Sequence, residues 1–166
     1  MSNKKPFIVF EGIEGSGKSY HSNNLIKEIK KKKLSFIYLR EPGGTANAEL
    51  IRQIILSTRK NNLSELTDTL LYLASRNENF IKNIKPFYKK KIIICDRFSA
   101  STLAYQHYGL GVNKNLILYL NKFILGNISP DLTFLMKINI ETSLKRLKKR
   151  KKLNRYDKFN RVFYKR

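Results

Sequence analysis

Phe7-Ile8-Val9-Phe10-Glu11-Gly12-Ile13-Glu14-Gly15-Ser16-Gly17-Lys18-Ser19 decides how the rest of the chain reads. An apolar, β-branched run opens it and reads as a buried strand. Three glycines then break the strand, and Gly17-Lys18-Ser19 closes the stretch. Gly12 followed after four residues by Gly17-Lys18-Ser19 fits the phosphate-binding P-loop pattern. Glycines let successive backbone N–H groups turn inward around phosphate oxygens without Cβ clashes. A helix starting near Gly17 adds the positive end of its dipole. In such a loop Lys18 reaches the β- and γ-phosphates of a nucleoside triphosphate and the Ser19 hydroxyl ligates Mg²⁺. With Tyr20 next on the helix, the candidate phosphate-binding set is Gly12, Gly15, Ser16, Gly17, Lys18, Ser19 and Tyr20. The bland alternative is a glycine-rich turn that matches by accident, and the strand before and helix after argue against it.

Outward from this stretch, strands and helices alternate. Leu25, Ile26 and Ile29 place a helix over 19–33 with a lysine run at its C-terminal end. Residues 35–39 read as a second strand that ends in the turn Arg40-Glu41-Pro42-Gly43-Gly44-Thr45. Thr45 is placed to cap a helix over 47–57. Asn61-Asn62 breaks the chain, and Ser64 opens a helix that carries Tyr72 and Arg76 on one face. Pro86 ends that region. The continuous apolar run 91–95 suits a strand buried on both sides, with Asp96-Arg97 at its end. Helices follow over 99–108 and 115–125, a fourth strand over 132–138, and a helix capped by Asn139 over 140–150. Residues 151–157 are charged and poor in apolar side chains, which predicts a mobile loop, and a last helix starts near Phe159. Strands alternating with helices mean α/β architecture, a parallel sheet with right-handed crossovers. Ligands of such sheets bind beyond the C-terminal strand ends, so the P-loop, Arg40-Glu41 and Asp96-Arg97 share one rim. No internal repeat or linker divides the chain, and residues 1–166 read as a single domain.

Composition narrows the function classes. At 42% hydrophobic residues the chain can build a core. Its one cysteine, Cys95, excludes a disulfide framework, no apolar run approaches the ~18 residues of a membrane span, and the first residues carry no signal-peptide core. A cytoplasmic protein is expected, with no membrane partner. The net charge of +22 invites a nucleic-acid reading. The bias towards Lys, Asn and Ile is spread over the whole chain, however, and nucleic acid is not the expected ligand. A basic surface equally suits small anionic substrates such as nucleotides.

On the rim, Asp96 is placed to hold Mg²⁺ opposite Ser19; as an Asp it can equally cap a helix or pair with Arg97. Arg76 and Arg97 offer planar forks to a phosphate or a base edge, or else remain solvated surface arginines. Tyr72 can stack on a nucleobase or simply fill the core.

The ordered series Gly12–Ser19, Arg40–Thr45, Ala74-Ser75-Arg76, Asp96-Arg97-Phe98 with Ser101, Thr102, Ala104, Tyr105 and Gln106, and Pro130–Thr133 resembles bacterial thymidylate kinases. The likeness runs over nearly the whole chain, and the pairing of the 40–45 turn with the 96–106 stretch is far more specific than the P-loop alone. The resemblance implies a P-loop NTPase fold with strand order 2-3-1-4, the family's fifth edge strand missing from a C-terminally shortened chain. It implies transfer of the γ-phosphate of ATP to dTMP with Mg²⁺, a lid at about 150–158, and a homodimer. By the same resemblance Lys18, Arg97, Arg155 and Glu41 are catalytic, Arg155 being the lid arginine that closes over the transferring group. Glu14 contacts the sugar 3′-OH of dTMP, and Arg52, Arg76 and Arg97 surround its phosphate and base. Tyr72 stacks on thymine, Ser101, Thr102 and Gln106 line the thymine pocket, and Ser19 and Asp96 hold the metal. Gly15, where some relatives carry arginine, fits the subgroup whose catalytic arginine comes from the lid. Two alternatives stay open at this point: a related kinase of other deoxynucleosides or nucleotides, and a nucleotide-binding relic with little catalysis.

Overall fold

The structure is a computed structural model that describes residues 4–57, 63–150, 153–159 and 161–165. Its strands are β1 (Phe7–Glu11), β2 (Phe36–Arg40), β3 (Ile92–Asp96) and β4 (Leu132–Leu135). They form one parallel sheet in the order β2-β3-β1-β4, the order the resemblance implies. The helices are α1 (Lys18–Lys31), α2 (Ala46–Leu56), α3 (Glu65–Asn79), α4 (Lys85–Phe87), α5 (Ser99–Thr102), α6 (Lys114–Leu125), α7 (Ile140–Lys148) and α8 (Arg161–Lys165).

Strand alternation sorts the core into two layers. Phe7, Val9, Leu39, Ile93 and Cys95 face Phe80, Ile84 and Leu125 on one side of the sheet. Phe10, Ile92 and Ile94 face Ile29, Leu25 and Ile26 of α1 on the other. β3 is buried over its whole length because it lies inside the sheet and under both layers. β4 is an edge strand, and Leu132, Phe134 and Leu135 stay exposed.

The predicted caps form: the Thr45, Ser64 and Asn139 side chains accept from Ala48, Thr67 and Thr142 N–H groups. The predicted helix over 99–108 is α only through Thr102 and continues as a π-helix over Leu103–Gly109. A second π-helical stretch, Phe80–Ile84, joins α3 to α4, so Pro86 sits inside the last short helix rather than ending the region. The fourth strand stops at Leu135, short of the predicted 138. The expected loop over 151–157 is also corrected. Tyr156 starts a 3₁₀ turn and is buried with Asp157, because the tyrosine ring inserts into an aromatic cluster with Tyr72, Tyr105 and Phe159. Lys151, Lys152 and the break at Asn61-Asn62 lie outside the described residues.

Ile94 is fully buried between β1, β2 and α1. Its replacement by alanine is expected to lower unfolding stability by about 2–5 kcal/mol, read from the midpoint of a urea transition. A loss under about 1 kcal/mol would mean this layer packs loosely.

Candidate functional site

The loop between β1 and α1 is shaped by glycine where nothing larger fits. Gly12 has φ +144°, and a Cβ there would lie 2.6 Å from the Met136 carbonyl. Gly17 caps α1 in the left-handed region at φ 100°. Helix α7 fastens the loop from the side, with the Ser143 hydroxyl donating to the Glu14 carbonyl at 2.6 Å and Arg146 to the Gly15 carbonyl at 2.7 Å. Lys18 curls over the loop and donates to the Gly12 and Ile13 carbonyls at 2.8 and 2.9 Å. Burial, assisted by the nearby Arg97 charge, pushes its pKa down to about 8. Ser16 Oγ is buried without a partner, an orphan that a bound anion's environment would relieve. Tyr20 stands apart, exposed and edge-on to His21.

Beside the loop lies a cavity of about 340 Å³. Glu14, Lys18 and Ser19 form its loop wall, and Arg40, Glu41, Asp96 and Arg97 come from the strand ends. Arg52 of α2, Tyr72 of α3, and Ser101, Tyr105 and Gln106 form the helical wall, while Arg150, Asn154 and Tyr156 close it from the chain beyond α7.

The charged groups are paired. Arg97 donates to Glu14 at 2.8 Å and to the Ser101 hydroxyl at 3.2 Å, with its guanidinium 5.0 Å from the Tyr105 ring centre. Burial lowers the Arg97 pKa, but Tyr105, Glu14 and Glu11 outweigh it and hold the group firmly charged. Glu14 also accepts from the Tyr105 and Tyr164 hydroxyls at 2.5 and 3.1 Å. Glu11 accepts the Phe98 and Ser101 N–H groups and the Ser101 hydroxyl. Glu41 accepts from Arg76 at 2.8 Å, and its other carboxylate oxygen is buried without a partner. Burial raises the Glu41 pKa against the opposing pull of Arg76. Arg52 donates to the Pro42 carbonyl at 2.7 Å.

Of the residues expected from sequence, Glu14, Lys18, Ser19, Glu41, Arg52, Tyr72, Asp96, Arg97, Ser101 and Gln106 line this one cavity. Asp96 is neither a helix cap nor the partner of Arg97; it accepts the Ser19 hydroxyl at 2.7 Å. Besides Tyr20 and the remaining residues of the loop, Arg76, Thr102 and Arg155 fall outside it. Arg76 is sealed behind the wall at 2% exposure, committed to Glu41 and to Asn121 at 2.6 Å, because the Phe98 ring covers its guanidinium. Thr102 is buried one residue behind Ser101, its hydroxyl unpartnered. Arg155 turns onto α3, where it pairs with Asp68 and the Tyr156 hydroxyl, so Arg150 is the arginine this segment presents to the cavity.

Sequence reasoning put Arg40 on the ligand rim but gave it no role, and passed over Tyr105, Arg150, Asn154 and Tyr156 as cavity residues. Arg40 and Tyr105 stood inside quoted motifs without a role. Arg150 was hidden in a basic run, and no local signal marks Asn154 or Tyr156.

Among the described residues no group of three His, Cys, Asp or Glu side chains could hold a metal ion. The adjoining Ser19 hydroxyl and Asp96 carboxylate supply two hard oxygen donors. That set suits a small divalent cation which takes its remaining ligands from phosphate and water.

A parallel α/β sheet with this loop at the C-terminal end of β1 defines a P-loop NTPase fold. A family model described as thymidylate kinase matches residues 10–166. The chain is 37% identical over 161 residues to a thymidylate kinase of Exiguobacterium sp., covering 96% of this chain and 76% of that one. It is 41% identical over 143 residues to the thymidylate kinase of Ehrlichia canis, covering 84% and 69%. The crystal structure of thymidylate kinase from Ehrlichia chaffeensis superposes with a TM-score of 0.76 at 38% identity, covering 86% of this chain and 78% of that one. The chain belongs to the thymidylate kinase family.

With its pKa near 8, free Lys18 is largely neutral at pH 9 and charged at pH 7. An anion at the loop favours the charged form, so inorganic tripolyphosphate is expected to bind with proton uptake near pH 8.5 and about tenfold more weakly at pH 9.5 than at pH 7. Calorimetry in two buffers of different ionisation enthalpy measures the uptake; an identical heat in both would rule it out.

Proposed function

We propose that this chain binds ATP and dTMP together and transfers the γ-phosphate to dTMP, giving dTDP and ADP. The observation that carries the reading is the convergence, around one cavity, of Lys18, the Ser19–Asp96 pair and the Glu14–Arg97–Tyr105 group. One end of that space offers a phosphate cradle, the other a polar and aromatic wall suited to a nucleoside monophosphate.

The acceptor is a phosphate oxygen, already anionic near neutral pH, so no general base is required. The obstacle is repulsion between two polyanions. Lys18 and the N–H groups from Gly12 to Ser19, with Gly15, Ser16, Gly17 and Tyr20 in the same stretch, form the proposed ATP phosphate site. Arg97, fixed by Glu14, Ser101 and Tyr105, neutralises charge on the acceptor side together with Arg52. Glu41, with one oxygen free of partners, is the proposed acidic contact near the sugar-phosphate. Glu14 accepts the sugar 3′-OH, Tyr72 packs on the base, and Ser101 and Gln106 meet the base edge. Thr102 and Arg76 support this wall from behind. Mg²⁺ is the proposed metal; Ser19 and Asp96 would hold it, and it would offset phosphate charge. Residues about 150–158 form the proposed lid of a single domain, with Arg150 the cavity-side arginine and Arg155 paired with Asp68 of α3.

We also propose a homodimer. Exposed apolar rows run along three packed helices: Leu50 and Ile54 on α2, Leu66 and Leu70 on α3, and Tyr119 with the 78% exposed Phe123 on α6. A patch of this kind is costly to leave in water. No helix among the described residues is long and apolar enough to cross a membrane, and the cytoplasm, where ATP and dTMP meet, is the proposed compartment.

A coupled assay should record ADP formation that depends on dTMP, with dCMP a much poorer acceptor. Lys18→Ala should lower the rate by about 10²–10³-fold or more, while thermal unfolding stays intact. Purified chain that yields no dTMP-dependent ADP would overturn the reading. In sedimentation velocity the protein is expected at twice its chain mass and Phe123→Glu at the chain mass; a monomeric parent protein ends the dimer proposal.

A further inference from the structure

Asp68 has no part in the phosphate-transfer scheme. It lies on α3 one turn before Tyr72, is 1% exposed, and receives three groups from two other parts of the chain. One carboxylate oxygen pairs with the Arg155 guanidinium. The other accepts the Gln106 amide at 3.2 Å and the Tyr156 hydroxyl. A carboxylate ion-paired in this way has no hydrogen to donate, so the group that Gln106 turns towards it must be the NH₂. That fixes the amide orientation by chemistry rather than by shape.

The same nitrogen also faces Tyr156. Gln106 Nε2 lies 3.1 Å from the Tyr156 hydroxyl oxygen. Tyr156 gives its own hydrogen to Asp68, so towards Gln106 it can only accept. Gln106 lines the cavity, and with its amide nitrogen turned to the Asp68–Tyr156 pair the polar end it has left to offer a ligand is its carbonyl oxygen.

We infer that Asp68 is a positioning residue for acceptor choice: it orients Gln106 so that the cavity meets a hydrogen-bond acceptor, which selects a pyrimidine carrying N3–H over one whose N3 is itself an acceptor. Thymine has that N3–H. Cytosine presents a lone pair at the same position, and two acceptors facing each other in a buried site leave both unsatisfied. The same carboxylate also holds Arg155, so base choice and lid position share one buried group. This inference rests on the reading that the cavity takes dTMP.

Initial-rate kinetics with dTMP, dCMP and N3-methyl-dTMP separate the possibilities. The protein should use dCMP and N3-methyl-dTMP at least about tenfold less well than dTMP. Asp68→Asn, whose amide can donate, frees Gln106 to turn over. It should narrow the dTMP-to-dCMP ratio of kcat/KM by about tenfold, mainly through KM, and Asp68→Glu should restore the ratio. Loosening Arg155 affects both acceptors alike and cancels in the ratio. An Asp68→Asn ratio within about threefold of the parent overturns the inference, as does a parent protein that uses N3-methyl-dTMP as readily as dTMP. The second result decides the matter if Asp68→Asn does not fold. Absence of any dTMP turnover by the parent protein would instead defeat the functional reading.

Discussion

The site depends on one buried carboxylate that never faces the cavity. Glu11, the last residue of β1, reaches across to β3 and takes the Phe98 and Ser101 N–H groups and the Ser101 hydroxyl. Those three bonds hold the turn after β3 in a shape that puts Arg97 at φ 71°, a left-handed conformation that costs a non-glycine residue about 1 kcal/mol. In that conformation the Arg97 guanidinium points back at Glu14 on the P-loop. The strand that launches the phosphate loop therefore also sets the arginine opposite it. Because β1 and β3 are hydrogen-bonded neighbours, the two halves of the site are built on adjacent strands of one sheet.

The fold was legible because its signals are periodic. Leu25, Ile26 and Ile29 recur at helical spacing, continuous apolar runs at 7–10 and 92–95 mark strands that end up between two layers, and glycines at 12 and 17 mark backbone shapes that side chains rarely adopt. The site was legible where a side chain's role follows from its place at a strand end, as for Asp96 and Arg97. It was misread where a side chain's direction depends on partners far away in sequence. Arg76 looks like a free fork until Glu41, Phe98 and Asn121 enclose it. Arg155 looks like a lid arginine until Asp68 captures it. The 151–157 stretch is poor in apolar residues, yet in its described part, 153–157, one aromatic, Tyr156, packs into the core. The π-helix at 103–109, which carries the cavity residues Tyr105 and Gln106, left no trace in the pattern.

Charge separates the site from the surface more sharply than net charge suggests. The chain has 24 lysines and 10 arginines. Arg40, Arg52, Arg97 and Arg150 line the cavity, and Lys18 is the one lysine among its described lining residues. A surface that only has to stay hydrated accepts either cation, and here it has become overwhelmingly lysine. A cavity whose arginines are held by carboxylate, hydroxyl and carbonyl oxygens at fixed angles does not accept the exchange as readily, because lysine offers a point charge where arginine offers a fork. Lys18 is the exception for a physical reason. Its ammonium sits against the P-loop backbone, donating to two backbone carbonyls at once, a task for a compact point donor rather than a planar fork. The excess of positive charge outside the cavity thus says little about what the protein binds, whereas the choice between two cations inside it says a great deal.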